Sequence, residues 1–593
     1  MLPAKTPMVA TIDASRAHRW PAAAWFALRA WGLCFRHFLR LRRREPRLIP
    51  TGGTGAFAVP IARSTSALYA ADGITPTERG WQLGKVENLR RALRAIDGVV
   101  VPVGVEFSFW RQVGPPWRMR GFVVGRELRE GCLIPGVGGG LCQLSNALYD
   151  CALQAGAEIL ERHRHTRVVP GSLAELNRDA TIFWNYVDLR FRFAEAVRIS
   201  ARLTTDRLVV ALHVAREGQE RAATKSVPGG AMATAESCAT CGVGGCLRHV
   251  GEGEVTGERT AVIVDEFRPE FDAWLTERRN AELAVPMRFS RWRRDAYAWT
   301  ERGWDSVRDA PFVALARAHR SRRLAEQGAA RQRAMLASDR RLAEALGHKF
   351  SWRCSRAVVA QNLLPHLRAP GLLGGRAVTV FLTRWPIRCL EERLDAASQR
   401  HPESPTLADF RADPALAEAE WEALEAAEAL VTCHARLAEI WPHKTTLLPW
   451  DLPAGGPNGM PASAGGCVVF PASGVGRKGA YELRAALRET PFPLRILGRE
   501  QLENDPQFWG ELPRAGEGRD WLDGARVVVL PAWIEHRPRR LLEAIAARVP
   551  VIATDACGLH GWPADTVVKI VPAGDVAALT NALRSVVADE VIA

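Results

Sequence analysis

A run of three glycines followed by a cysteine is the part of the sequence best suited to nucleophilic chemistry. Residues 136–145 read GVGGGLCQLS, and consecutive glycines allow backbone conformations that are closed to other residues. An apolar stripe with helical spacing follows Cys142, at Leu144, Leu148, Ala152 and Ala155. Cys142 is therefore predicted to lie at a helix N-terminus, where the helix dipole favours a thiolate.

Two histidines and an aspartate follow the cysteine in an order that suits such a nucleophile. His163 and His165 are two residues apart and are predicted on one face of an extended segment, and Asp179 is predicted to open the next strand. The order is compatible with a Cys-His-Asp site, in which histidine takes the thiol proton and the acid orients the histidine. The alternative is a buried structural thiol at Cys142, with glycines that only form a tight turn.

Four soft ligands occur within 12 residues in a glycine-rich connector, residues 227–255. Their spacing is Cys238-x2-Cys241-x4-Cys246-x2-His249. Three thiolates and an imidazole suit tetrahedral zinc, and a closed shell in a short loop favours a structural clip over a catalytic site. Thiols in a flexible linker and an iron–sulfur or redox site remain as alternatives.

Phosphate chemistry is indicated in the C-terminal part of the chain. A predicted strand at 467–470 leads into a loop ending in Gly476, Arg477, Lys478 and Gly479, and then into a helix. Backbone amides and cations at a helix N-terminus favour phosphate binding. A second predicted strand, 527–530, is followed by Glu535 and Glu543 in an E-x7-E spacing.

The elements that would position these residues fall into three folded regions. Residues 56–215 mix helices and strands and predict an α+β domain. Residues 267–346 are predicted to be a charged, largely helical stretch, with 301–340 as a solvated helical surface. From residue 357 onward strands alternate with helices, which indicates doubly wound parallel sheets. The predicted fold is a multidomain α/β protein, with domains at 56–215, 260–452 and 453–593.

The first region resembles the VanW family. The resemblance is carried, in order, by KVENLRRALRAIDG, VPVGVEFSFWRQVGP, GGGLCQLSNALYD, ERHRHT and RDATIFWNYVDLRFRF, between residues 85 and 193. It implies that the family's cysteine and histidine correspond to Cys142 and to His163 or His165. The family's association with vancomycin-resistance gene clusters implies attack on an acyl or amide group of a cell-wall peptide.

The last region resembles the retaining nucleotide-sugar glycosyltransferases of the GT-B fold, over residues 467–587. The resemblance implies that Lys478, with Arg477 as a second candidate, holds the donor diphosphate. It also implies that Glu543 binds the ribose hydroxyls and that Glu535 faces the donor sugar, with no metal required. The sequence departs from the family after Glu535, because 536–540 read HRPRR where small residues are usual.

Residues 260–452 would then form the acceptor-type partner domain of the pair. His434 and Arg384 follow predicted strands, at the position where α/β proteins bind ligands, and are candidates for acceptor contacts. The alternative for both is a capped or hydrogen-bonded loop residue with no ligand.

Charge is concentrated in the segment 1–50, which carries ten of the 79 lysines and arginines against two acidic residues. Within it, residues 22–44 predict a basic amphipathic helix, which either lies on an anionic membrane surface or packs on the next domain. No DNA- or RNA-binding motif accompanies the charge, so nucleic acid is not an expected partner. We find no apolar stretch of spanning length, no signal sequence and no dense cysteine framework, which predicts a cytoplasmic protein, with the inner membrane face as a further location.

Together these features predict a retaining glycosyltransferase fused to a VanW-like domain, which uses a nucleotide-sugar donor and a cell-envelope acceptor in envelope, peptidoglycan or polysaccharide synthesis. The VanW-like domain would recognise or process that acceptor, which would link the protein to vancomycin-type resistance. The alternative is a non-catalytic envelope or resistance accessory protein that binds cell-wall precursors or nucleotide sugars.

Overall fold

The structure is a computed structural model that divides into two compact units. Unit 1 comprises residues 1–259 with 352–355 and 370–376, and unit 2 comprises 260–351, 356–369 and 377–593. The structure describes residues 56–69, 75–129, 131–165, 167, 169, 171–184, 186–215, 235–241, 259–278, 281–292, 295–324, 328–453, 466–490, 492–498, 507–510, 512–516 and 520–588, and in the first fifty only 25, 28, 29, 32, 47 and 48.

Unit 1 contains three small sheets. Its strands are β1 (Val59–Ala67), β2 (Val100–Val101), β3 (Glu106–Ser108), β4 (Val124–Arg129), β5 (Cys132–Val137), β6 (Glu158–Glu161), β7 (Arg190–Arg192), β8 (Val197–Leu203), β9 (Arg207–Val214) and β10 (Glu236–Ser237). The sheet orders are β1-β9-β8-β2, β10-β5-β4 and β3-β7-β6. Every pair is antiparallel except β10 with β5.

The helices of unit 1 are Pro76–Ile96, Phe109–Val113 and Cys142–Gln154. The first begins at Thr75, whose hydroxyl accepts the Glu78 amide hydrogen, and has proline in its first turn, both of which favour helix initiation. The third buries Leu144, Leu148 and Ala152 in the core of the unit. The predicted apolar stripe of this helix is thus confirmed, and the helix begins at Cys142 as predicted.

The β4–β5 hairpin holds the glycine loop against the first helix. A Cβ on Gly84 would lie 1.9 Å from the Val124 carbonyl oxygen, so the backbones touch where only glycine fits. The Asn88 amide donates to the Gly139 and Val123 carbonyl oxygens, at 2.9 and 3.0 Å, and its oxygen accepts the Val123 amide hydrogen. The loop that precedes Cys142 is therefore fixed from two sides.

Unit 2 contains two parallel sheets. The strands of the first are β11 (Arg259–Ile263), β12 (Ala281–Val285), β13 (Ser306–Asp309), β14 (Cys354–Ala360), β15 (Ala377–Phe381), β16 (Ala429–Thr432) and β17 (Thr445–Leu447), in the order β13-β12-β11-β14-β15-β16-β17. Those of the second are β18 (Cys467–Phe470), β19 (Leu494–Ile496), β20 (Ala525–Leu530), β21 (Val551–Thr554) and β22 (Val568–Val571), in the order β19-β18-β20-β21-β22. This is the doubly wound arrangement expected from the alternating pattern.

Helices connect the parallel strands of unit 2. They are Pro269–Thr276, Phe289–Trp292, Pro311–Arg322, Ala329–Gly347, Leu364–Arg368, Ile387–Arg400, Pro414–Glu425, Ala435–Ala438, Ala480–Arg488, Arg539–Ala546 and Val576–Ala588. The carboxyl ends of β15, β16, β18 and β20 lead into the candidate residues described below, as expected for α/β proteins.

The prediction of a mainly helical stretch at 267–346 was wrong in part. It contains β12, which is buried at every position, and β13 at the sheet edge. The solvated surface predicted for 301–340 was also wrong in part, because Arg317 is buried and forms ion pairs with Asp265 at 2.7 Å and Asp339 at 3.1 Å. Some of the charged residues in this stretch therefore form buried ion pairs and do not face solvent.

Some predictions concern residues that the structure does not describe. The basic helix at 22–44 is one of them apart from four positions, and Cys246 and His249 of the proposed zinc clip are others. Within the ranges given above, no helix combines the length and apolar character needed to cross a membrane.

Candidate functional site

Cys142, His165 and Asp179 form a connected group in unit 1. The Cys142 side chain lies close enough to the His165 imidazole to raise its pKa, and its thiol lies 3.8 Å from the Ile182 carbonyl oxygen. His165 Nδ1 lies 2.7 Å from Asp179 Oδ2. Asp179 Oδ2 also accepts the backbone amide hydrogen of His165 at 2.7 Å. Because Nδ1 is held by the carboxylate, Nε2 is the nitrogen available to exchange a proton with Sγ. This is the nucleophile, base and orienting-acid arrangement.

The electrostatics of this group favour a charged imidazole. Burial lowers the pKa of His165, but the hydrogen bonds and charges of Asp179 and Cys142 more than offset it and raise the pKa to about 9. Burial raises the pKa of Asp179, and the His165 hydrogen bonds together with Arg162 bring it below its usual value. Arg162 donates to Asp179 Oδ1 at 2.8 Å and so fixes the carboxylate from the other side.

His163 is not part of this group. Its side chain is 51% exposed, and its Nε2 lies 3.4 Å from Glu161 Oε1. The backbone around it is held by a bridge to Thr181, since the Thr181 amide donates to the His163 carbonyl oxygen at 2.7 Å. Of the two histidines left open by the sequence, only His165 is in contact with Cys142 and Asp179.

Three backbone amides at the start of the Cys142 helix point to an oxyanion site. Within the ranges that the structure covers, the N–H groups of Gly140, Leu141 and Cys142 have no protein acceptor, whereas those of Gly138 and Gly139 do. Gly140 has φ +97°, which a side chain would strain. Free amides at a helix N-terminus beside a nucleophile can stabilise negative charge that develops on an attacked carbonyl oxygen.

A cavity of about 770 Å³ opens onto this group. Cys142 and His165 line it together with the glycine loop, and Trp110, Ile182 and Trp184 are among its apolar and aromatic wall residues. The ring of Trp184 packs edge-on against that of Trp110, with centroids 5.3 Å apart. The volume is that of a pocket for a small molecule or a short peptide segment.

Only two of the four proposed zinc ligands, Cys238 and Cys241, lie in the described residues. Cys238 is buried beside Trp81 and Ile134, and Cys241 is partly exposed, with its thiol 3.7 Å from the Cys238 carbonyl oxygen. No cluster of three or more potential metal ligands occurs in the part of the chain that the structure covers, and this part excludes Cys246 and His249. Zinc remains a prediction.

In unit 2, Lys478 and Glu535 are brought together at the carboxyl ends of β18 and β20. Lys478 Nζ lies 2.6 Å from Glu535 Oε2, and both side chains are largely buried. Glu535 Oε1 accepts the amide hydrogens of His536 and Arg537, at 2.8 and 2.9 Å. Burial raises the pKa of Glu535, but Lys478 and these amides lower it to about 2, so the carboxylate is charged at neutral pH.

Arg477 and the neighbouring glycines form a tight loop. The Arg477 carbonyl oxygen accepts the amide hydrogens of Trp533 and Ile534, and its guanidinium lies over the Phe410 ring at 4.9 Å. A Cβ on Gly479, which has φ +79°, would lie 2.0 Å from the Pro531 carbonyl oxygen. The loop therefore requires glycine at 479. Its tight turn fixes the position of the neighbouring Lys478.

Glu543 lies apart from the Lys478–Glu535 pair. It is in the Arg539–Ala546 helix, 30% exposed, and its Oε2 accepts from Arg540 Nη1 at 2.9 Å. The unusual arginines after Glu535 thus include a direct partner of this second glutamate.

Two histidines, the buried His434 and the half-buried His536, occupy the space between the two sheets of unit 2. His434 Nε2 lies 3.1 Å from the carbonyl oxygens of both Glu535 and Ala556, and its Nδ1 accepts the Leu437 amide hydrogen at 3.3 Å. Burial lowers its pKa to about 4. His536 Nδ1 accepts the Trp385 amide hydrogen at 3.2 Å, and burial lowers its pKa well below the usual range. Both imidazole rings are therefore neutral at pH 7, and both lie within hydrogen-bonding distance of backbone groups.

Arg384 is also committed to protein partners. Its guanidinium lies 3.2 Å from Glu420 Oε1 and 3.9 Å from Asp339 Oδ2. For His434 and Arg384 the structure therefore favours the hydrogen-bonded alternative over a direct acceptor contact.

Sequence reasoning missed Arg162, Lys85 and Arg126. Arg162 lies in the same ERHRHT segment as the histidines, so its proximity to Asp179 had a sequence signal. Lys85 and Arg126 line the cavity but come from a helix and a hairpin strand far from Cys142 in sequence. Only the packing of these elements on the glycine loop reveals them.

Two family models match separate segments of the chain. The family described as "VanW like protein" matches residues 84–213, and "Glycosyl transferases group 1" matches residues 479–589. The chain joins a VanW-like domain to a group 1 glycosyltransferase domain. Both resemblances predicted from the sequence are confirmed. The predicted fold class is confirmed as well, an α+β domain followed by two parallel-sheet domains.

Two curated relatives match the VanW-like domain. An uncharacterized protein, YoaR, of Bacillus subtilis (strain 168) is 34% identical over 128 residues, which is 21% of this chain and 42% of the relative. The vancomycin B-type resistance protein VanW of Enterococcus faecalis is 33% identical over 115 residues, 19% of this chain and 42% of the relative. The chain thus spans less than half the length of each.

Solved structures align with a larger part of the chain. A sucrose-phosphate synthase from Thermosynechococcus elongatus is 15% identical, with a TM-score of 0.33, over 56% of this chain and 90% of that one. The lipopolysaccharide outer core galactosyltransferase WaaB is 13% identical, with a TM-score of 0.33, over 56% and 91%.

Proposed function

We propose that the VanW-like domain carries a cysteine nucleophile that attacks an acyl or amide group of a cell-wall peptide. The observation that carries this proposal is the contact of His165 with both Cys142 and Asp179 at the mouth of a 770 Å³ cavity. A structural thiol needs neither a buried, ion-paired histidine nor unpaired amides beside it.

The proposed reaction uses each of these groups. Sγ attacks as the thiolate, its proton already held by the positively charged His165. It bonds to the carbonyl carbon while the carbonyl oxygen gains negative charge near the amides of Gly140, Leu141 and Cys142. When the C–N bond breaks, His165 returns the proton to the departing amine, which leaves a thioester on Sγ. Water then adds to the thioester with the same proton transfers, releasing a carboxylic acid and the thiol.

The experiment is mass spectrometry of the full chain mixed with peptides released from cell walls. We expect an acyl adduct on Cys142 in the wild type and amine release that is abolished in Cys142→Ala and His165→Ala. His163→Ala is the matched control, because this histidine lies outside the group, and it should retain activity. Activity that survives Cys142→Ala would refute the proposal, as would equal losses in the two histidine variants.

We further propose that the group 1 domain transfers a sugar, with retention, from a nucleotide-sugar donor to a cell-envelope acceptor. Support comes from the family match over 479–589 and from Lys478, a largely buried cation at the carboxyl end of a parallel sheet. Lys478 is bound to Glu535, so a diphosphate would have to replace the carboxylate as the partner of its ammonium group. Fixed cations then stabilise the leaving diphosphate.

Donor hydrolysis measured with a panel of nucleotide sugars tests this second function. We expect Lys478→Ala and Glu535→Gln to abolish it, while Glu489→Gln, which removes only an exposed surface ion pair, leaves it unchanged. Stabilisation by nucleotide sugars in a thermal-shift assay without any hydrolysis would refute the transferase and favour the alternative, a binding accessory protein.

A further inference from the structure

The wall of the Cys142 cavity is strongly cationic. Its charged residues include Lys85, Arg126, Arg129 and Arg167, against a single carboxylate from Glu127, and His165 adds a further positive charge at neutral pH. Arg129, Arg167 and Glu127 have interaction partners of their own. A cavity whose wall carries this excess of positive charge attracts anions.

Lys85 and Arg126 are the two cations without a close counter-charge. Neither side chain forms a salt bridge with any residue that the structure describes, and Arg126 Nε is buried without a hydrogen-bond acceptor. The nearest acidic influence on Arg126 comes from Glu78, whose carboxylate instead accepts the Ser237 hydroxyl hydrogen at 2.8 Å. Cations with unmet hydrogen bonds in a cavity are typical of a ligand site.

The two cations also repel each other. Burial, with the charge of Arg126 as the second cause, lowers the pKa of Lys85 to about 7. Two like charges in a poorly solvated wall cost folding free energy, which a bound anion offsets.

Lys85 and Arg126 lie beside the glycine loop that precedes Cys142. A Cβ on Gly140 would lie 2.0 Å from Lys85 Cγ, so the Lys85 side chain runs along the glycine loop two residues before Cys142. Arg126 follows Gly125, which packs against Gly139 of the same loop. Both residues therefore line the cavity next to the glycine loop that precedes Cys142.

We propose that Lys85 and Arg126 form a carboxylate-binding subsite, so that the cavity selects acyl compounds that carry a free carboxylate close to the carbonyl that Cys142 attacks. The inference rests on the proposed nucleophile and adds its substrate class. A guanidinium offers paired N–H donors to a carboxylate, and the ammonium adds a point charge.

Two alkylating reagents test this in the full chain. Iodoacetate carries a carboxylate on the reacting carbon and iodoacetamide carries a neutral amide, and with both reagents Sγ bonds to carbon as iodide leaves. The readout is the ratio of the iodoacetate rate to the iodoacetamide rate at Cys142, followed by peptide mass spectrometry, with Cys132 in the same samples as the internal reference. We expect the ratio at Cys142 to exceed that at Cys132 by about tenfold, the effect of one charge-assisted contact.

Substitutions of Lys85 and Arg126 test whether these two residues cause the higher rate ratio at Cys142. Lys85→Gln and Arg126→Gln should each lower the Cys142 ratio about tenfold, and Lys85→Arg should keep most of it. The matched control Arg202→Gln removes an exposed arginine of the same unit and should not change it. Acetate should slow alkylation of Cys142 more than chloride at equal ionic strength, a test that needs no variant.

The outcomes separate this inference from the proposed function. If iodoacetamide alkylation of Cys142 does not depend on His165, the nucleophile itself is refuted. If it does depend on His165 but the ratio equals that of Cys132 and acetate gives no protection, the carboxylate subsite is refuted and the nucleophile stands.

Discussion

Asp179→Asn is the substitution that most directly tests the electrostatics of the Cys142 group. Asparagine keeps the shape of the side chain and an oxygen for Arg162, but removes the charge that faces His165 Nδ1. The pKa of His165 is raised from 6.5 to about 9 despite burial, which alone lowers it. Without the carboxylate, both contributions of Asp179 are lost while those of Cys142 remain, and we expect the pKa of His165 to fall by about 1–2 units, or ~1.4–2.7 kcal/mol.

The assay is modification of His165 by diethylpyrocarbonate, which reacts with neutral imidazole, quantified by peptide mass spectrometry across pH. The wild-type rate should rise with a midpoint near pH 9 and the Asp179→Asn rate with a midpoint about 1–2 pH units lower. His163 lies two residues away and is half exposed, so it reports any change in reagent reactivity.

The pH dependence of the free energy of unfolding should follow the titration of His165. Because the folded-state pKa of His165 lies above its unfolded value, the protonated histidine stabilises the fold fully below about pH 6.5, and this contribution is lost as pH rises to about 9. The wild type should therefore lose its stability advantage over Asp179→Asn across that interval. A wild-type midpoint near 6.5, or one that Asp179→Asn leaves in place, would refute the reasoning.

Three further predictions concern other parts of the chain. Gly140→Ala should destabilise unit 1 by about 1–3 kcal/mol in urea unfolding, because of its φ of +97° and the 2.0 Å approach to Lys85, while Gly156→Ala, which has φ +68° and open space around it, should cost less. His434→Ala should lower the stability of unit 2 by about 2–4 kcal/mol, since two carbonyl contacts are lost and a cavity is left; an unchanged unfolding midpoint would contradict this. Elemental analysis of the purified chain should find about one zinc per chain, removed by Cys238→Ser, and a metal-free wild type would remove the prediction.

The grouping of Cys142, His165 and Asp179 could be predicted because these residues lie close together along the chain. The helix start at Cys142 followed from the glycines and the apolar stripe, and the order of cysteine, histidine and acid limited the partners to a few residues. It could not distinguish His163 from His165, because alternation places both on one face while a local bridge to Thr181 turns only one toward the thiol.

The parts that sequence could not predict depend on contacts between distant elements. Strand β12 was missed because a glutamate, Glu282, interrupts its apolar pattern, although this side chain is buried and accepts the Ser351 amide hydrogen. The pairing of Lys478 with Glu535 joins two strand ends 57 residues apart. The roles of Lys85 and Arg126 likewise depend on how a helix and a hairpin pack on the glycine loop.

The most direct test of the central claim is the rate at which iodoacetamide alkylates Cys142 at neutral pH, compared in the wild type and in His165→Ala. We expect Cys142 to react at least about tenfold faster than Cys132 in the wild type. His165→Ala should remove this difference because the positive imidazole that favours the thiolate is lost. Equal rates at the two cysteines in the wild type, or a Cys142 rate unaffected by His165→Ala, would contradict it.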